Sequence, residues 1–309
     1  MKNFLKKINS TNKNHIMKNK KSLIKKLIFS LAFLGSISFY QTKAYAEESP
    51  VCPDPSTTTI TSIADGEDAT SFYALTSGGF CKGTPDTYGV TVYKMGFCTK
   101  NPANPTDSSV LAGSAPDYST CTWGYENSAG EAASFAAGGS IDLSETYASE
   151  PASGTYPYAV MLISKDFNIK GKFGPVGGKT YYSTSTFKTS SNDISDYATT
   201  VAPLNTFAGM GSCEAYTEGE VVTDGTISAY LIDSSGIMLE NDSSLSECSG
   251  QEKLLGVMKM SSALTISDTT GGLKMTFTVT NNGMSVVTNE TGTDILIDSG
   301  PFSVRFETF

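Results

Sequence analysis

The chain has 309 residues, with 22 Lys and Arg against 31 Asp and Glu, a formal net charge of −9 and a single histidine. Ten of the basic residues and that histidine, His15, precede position 47 with no acid among them, so residues 47–309 carry 12 basic and 31 acidic groups, a net −19, and no imidazole. Such a chain has no Ser-His-Asp or Cys-His nucleophile and no histidine metal site, and its charge argues against nucleic-acid binding and against attraction to anionic membranes.

Residues 1–46 have the layout of a secretory signal peptide. A basic stretch, Met17 to Lys26, precedes the apolar run Leu27 to Phe39, which is too short to span a bilayer comfortably, and Ala44-Tyr45-Ala46 supplies a small-x-small cleavage site. Initiation at Met17 brings the leader within the usual range of roughly 15–30 residues. A Lys-rich leader of this kind suits the Sec route of a bacterium. Residues from Glu47 onward are expected in the periplasm, at the cell surface or outside, without stable membrane insertion.

All six cysteines, Cys52, Cys81, Cys98, Cys121, Cys213 and Cys248, follow the leader, and no C-x-x-C pair occurs. In an oxidising compartment that pattern implies disulfides rather than a metal site or thiol chemistry. A domain boundary near residue 190 isolates Cys213 with Cys248. Three pairings remain upstream, of which Cys52–Cys81 and Cys98–Cys121 are favoured, because Cys98 ends one strand pattern, Cys121 opens the next, and their bond closes the Pro-bearing excursion Thr99 to Thr120. Each loop closure is worth about 3 kcal/mol on chain-entropy grounds.

Strand patterns then recur between Gly, Asn, Asp and Pro clusters, with no long 3.6-period stripe. Val90 to Met95 is β-branched and aromatic. Tyr158 to Ile163 is continuously apolar, as in a central strand covered on both faces, and Lys179 to Phe187 is Tyr- and Thr-rich. Leu273 to Thr280 alternates, Asn281-Asn282-Gly283 turns, and Met284 to Thr288 is expected to return beside it as a hairpin. Glu131–Ala137 and Gln251–Gly256 are the two places for short helical pieces. The fold class is all-β: a disulfide-stapled antiparallel β-sandwich, immunoglobulin-like in general character. Thr189 to Pro203 lacks alternation, so two domains, 47–190 and 204–309, are expected on either side of a linker at 191–203; a single larger sandwich running through it is the alternative.

Chemistry is sparse. Paired carboxylates remain open to a hydrolase, but no spacing selects a pair. Ser185-Thr186-Phe187-Lys188 is a Ser-x-x-Lys match on a strand pattern, which points Ser and Lys to opposite faces. Calcium is the candidate cofactor, with Asp65, Glu67 and Asp68 as its candidate ligands in an acidic turn; the alternative is that such carboxylates cap local backbone N–H groups. Trp123, two residues after Cys121, either packs beside a disulfide or offers a stacking platform to a glycan. The C-terminal strand, with Phe302, Val304 and Phe306 on one face, is the candidate for strand exchange in self-assembly, unless it closes its own domain.

The composition therefore points to a non-catalytic exported structural or binding module, such as an adhesin or filament subunit, whose partners are copies of itself, other surface proteins or glycans. An outer-membrane β-barrel is the second reading; in it, a lipid-facing Phe309 would put Glu307, Arg305 and Ser303 in lipid as well. A secreted carbohydrate-binding protein or carboxylate-dependent hydrolase is the third.

Overall fold

The computed structural model describes residues 50–64, 68–106, 109–136, 152–208, 211–222, 224–267, 270, 273–289 and 292–308. Residues 1–49 lie outside them. The first element among the described residues is a four-residue helix α1 (Phe72–Leu75), capped by the Ser71 hydroxyl accepting from the Ala74 N–H, after which they run almost wholly as strands. These are β1 (Phe80–Gly83), β2 (Thr87–Cys98), β3 (Cys121–Phe135), β4 (Gly154–Ser164), β5 (Asp166–Lys170), β6 (Lys172–Val176), β7 (Lys179–Ser183) and β8 (Ser190–Ser191). They continue with β9 (Thr200–Pro203), β10 (Tyr216–Val222), β11 (Gly225–Asp233), β12 (Gln251–Ile266), β13 (Leu273–Thr278), β14 (Met284–Thr288), β15 (Ile295–Ser299) and β16 (Ser303–Thr308).

The largest sheet has eight strands, all antiparallel, in the order β10-β11-β12-β4-β2-β5-β9, with β3 on the free flank of β2. Its geometry turns on Lys165. β4 pairs along one half of β2, from Cys98↔Tyr158 to Val92↔Ile163, and β5 continues along the other half, from Gly89↔Asn168 to Thr87↔Lys170. Beyond them β12 pairs with β4, and β9 with β5. Among the described residues the sheet remains open, whereas a membrane barrel needs a single closed sheet with an apolar exterior.

Both faces of the central strand β4 are buried inside the protein, which is why Tyr158–Ile163 is continuously apolar. Tyr158, Val160 and Leu162 join Tyr230, Ile232, Leu255, Val257 and Met238 on one face. The excursion after Cys98 roofs that face: Ala103 is fully buried there, and Gly113 and Met238 are joined by an N–H to carbonyl bond of 2.8 Å. Met161 and Ile163 belong to the opposite core, with Val90, Val92, Phe167, Ile169, Leu231 and Leu254, under the two-stranded sheet β13-β16. A separate core gathers Ile60, Phe72, Phe173, Val176, Val286 and Ile297 between two three-stranded sheets, β1-β14-β15 and β6-β7-β8.

Several expectations are corrected by this topology. The division at 191–203 does not separate the strands: β4 is hydrogen-bonded to β12 and β1 to β14, β9 lies inside the supposed linker, and Glu48–Phe309 forms one compact unit. Glu131–Ala137 is β3 as far as Phe135, and Gln251–Gly256 opens β12; pairing with β2 and β4 overrides the modest local helix propensity. The turn after β13 forms, with Asn281 at φ 56° and the Gly283 N–H on the Val279 carbonyl, but no hairpin follows. β13 instead pairs with β16, and β14 pairs with β1 and β15, because the strands flanking the turn are claimed by different cores.

Candidate functional site

The six cysteines form Cys52–Cys81, Cys98–Cys121 and Cys213–Cys248, leaving no free thiol. Cys98 and Cys121 sit directly opposite each other at the end of the β2–β3 ladder, so the bond closes the excursion at its base. Cys213 and Cys248 are buried and pack into the main core.

Of the candidate calcium ligands, Asp65 and Glu67 lie outside the described residues. Asp68 is engaged locally: its carboxylate accepts from the Thr61 hydroxyl at 2.6 Å, the Thr70 N–H at 2.9 Å and the Thr70 hydroxyl at 2.5 Å. The same geometry recurs. Asp54, Asp117, Asp193, Asp233 and Asp242 each accept from the backbone N–H two residues on, which belongs in every case to a serine. The signal in the sequence is Asp-x-Ser/Thr, a turn in which the carboxylate replaces a backbone carbonyl. Hydrogen bonds to the hydroxyl and N–H groups hold the carboxyls of Asp54, Asp68, Asp117, Asp193 and Asp242 below their ordinary range. Among the described residues no group of three or more His, Cys, Asp or Glu is placed to hold a metal.

Trp123 is half-buried beside the Cys98–Cys121 bond, facing Gly96 across the β2–β3 ladder. A Cβ on Gly96 would come within 2.8 Å of the indole, the Lys94 ammonium stands 5.2 Å from its centroid, and Tyr118 meets it edge-on at 5.2 Å. Lys94 is also ion-paired with Glu126. The ring is thus packed and covered by the chain's own residues. Two further surface aromatics carry lysines: Lys253 lies 4.6 Å over Tyr93, and Lys170 lies 4.5 Å over Tyr197. Tyr197 also packs on Tyr182 and donates its hydroxyl to Asp86, which lies 3.8 Å from Lys172. Burial and the Asp86 carboxylate both push the Tyr197 hydroxyl up.

The Ser-x-x-Lys match falls in a turn after β7, which ends at Ser183. Lys188 takes φ 53° and points its ammonium to within 4.0 Å of Asp298. Burial pushes the Asp298 carboxyl up, opposed by the Ser299 N–H and by Lys188.

At the C-terminus, β16 lies in register with β13, with Val304 opposite Phe277 and Phe306 opposite Met275. Phe302, just before it, has ring centroids 5.9 Å from Tyr88, 6.3 Å from Phe167 and 5.6 Å from Phe277, and Val304 packs against the same core. The Phe306 side chain lies outside the description. This strand closes its own fold. Comparisons with protein families, with characterised proteins and with solved structures found no match.

Proposed function

We propose that this chain is an exported bacterial, non-catalytic surface or extracellular protein, a structural or binding subunit that works by contact with copies of itself or with other surface proteins and glycans. The observation that carries the reading is the closure of all six cysteines into three disulfides within a strand-built body. Such bonds persist in oxidising compartments, and the basic, apolar and small-x-small segments of residues 1–46 supply a route there through Sec. No helix among the described residues is long and apolar enough to cross a membrane. The absence of imidazole from residues 47–309 limits acid–base and nucleophilic chemistry, and the acidic turns serve their own backbone.

Light scattering on oxidised protein comprising residues 47–309 tests the assembly half. The expected result is a mass that rises with concentration above that of one chain. A constant monomer mass at every concentration, in the presence and absence of calcium, would remove self-assembly from the proposal.

A further inference from the structure

All three disulfides are local, and none ties the described N-terminal residues 50–64 and 68–83 to the rest of the chain. Cys52–Cys81 instead closes that segment on itself. Within it residues 50–52 cover one edge of β1, through Cys52 N–H to Lys82 carbonyl at 2.7 Å and Lys82 N–H to Pro50 carbonyl at 2.9 Å. The other edge of β1 pairs with β14, a strand from the far end of the chain. The segment's apolar side, with Phe72 and Cys81 fully buried and Ile60 nearly so, packs between that sheet and β6–β7; the Phe72 and Phe173 rings are 5.3 Å apart. Its covalent link to the body is Thr84-Pro85-Asp86. Thr84 is tied to the turn before β14, its hydroxyl accepting from the Asn281 N–H at 2.7 Å, and Asp86 is held by Tyr197 and Lys172 of the body, so the pivot is confined to the buried Pro85 between them.

We propose that this N-terminal module is exchanged between copies: the module of one chain adds its β1 to the β14 edge of the next and fills the cleft between β14 and β6–β7. The proposal rests on the self-assembly reading above and names the partner as a second copy of this chain. Exchange keeps every module contact and leaves each disulfide intact, because the same residues meet in the same register; only the pivot is re-aimed. The C-terminal strand does not share this property, since Phe302 is packed among Tyr88, Phe167 and Phe277 of the main core. Exchange from each copy to the next is heterologous, and where it does not close into a ring it gives an open filament.

Lys82 and Ser285 face each other across β1 and β14, so the variants Lys82→Cys and Ser285→Cys report where the strand goes. The two are unfolded together, refolded in a glutathione redox buffer and run on a non-reducing gel. Exchange gives a band at twice the monomer mass that reductant abolishes, with residue 82 of one variant linked to residue 285 of the other by mass spectrometry. The Lys82→Cys/Ser285→Cys double variant cross-linking only within single chains, with no linked dimer from the mixture, overturns the exchange. If that result accompanies assemblies in light scattering, self-association stands and exchange fails; if it accompanies monomers, both fail. Should burial of Ser285 prevent folding of its variant, Phe80→Cys and Val287→Cys, the next opposed pair, give the same readout.

Discussion

Residues 204–309 expressed alone are expected to remain unfolded, with no dispersion in an amide NMR spectrum, whereas residues 47–309 unfold in one cooperative transition. The segment holds β10 to β12, the Cys213–Cys248 bond and the four strands that follow, which is ample chain for a small sandwich. What it lacks is partners. β12 loses its ladder to β4 from Lys253↔Ser164 to Ile266↔Gly154, and β14 loses β1. The buried Phe277 and Val279 lose Val90, Val92, Phe167 and Ile169, which complete their core. A three-stranded remnant with one face stripped of its cover buries too little apolar area to offset the conformational entropy of ordering it. A dispersed spectrum from the isolated fragment would mean that the interleaved pairing is dispensable.

Phe302→Ala should destabilise residues 47–309 by about 3 kcal/mol, the lower end for a truncated core phenylalanine because Phe302 is only half-buried. Its ring is the meeting point of β2 through Tyr88, β5 through Phe167 and β13 through Phe277, so its removal leaves a void where the covering sheet contacts the main one. A guanidinium titration followed by Trp123 fluorescence reads the loss as a lower midpoint with an unchanged slope. A change below roughly 0.5 kcal/mol, the level of an ordinary surface substitution, would show that the C-terminal strand is not part of the closed core.

Local features were legible before the structure, and non-local ones were not. The all-β class and the doubly buried strand at Tyr158–Ile163 follow from alternation and an unbroken apolar run, each readable within a short window; the favoured cysteine pairs are the ones formed, although Cys213–Cys248 is set apart in the sequence only by a boundary that strand pairing crosses. The boundary at 191–203 failed because polar composition marks a segment that is thin in core residues, not one that lacks pairing. β9 is a four-residue edge strand with one exposed valine, Val201, so its alternation is too short to register. The expected β13–β14 hairpin failed for a related reason: Asn281-Asn282-Gly283 determines that the chain reverses, but not which neighbour each strand finds afterwards. At Asp54, Asp117, Asp193 and Asp242 the Asp-x-Ser spacing carries a specific message in a short window, that these carboxylates accept N–H groups in their own turns. Trp123 packs beside its disulfide, as its place two residues after Cys121 suggests, but Lys94, which stands over it, comes from a strand that no short window joins to it.

Negative-stain electron microscopy of oxidised residues 47–309, over a range of concentrations, tests the claim that this protein works by assembly most directly. The account predicts particles joined end to end, lengthening as concentration rises. A uniform field of single compact particles at every concentration would contradict it.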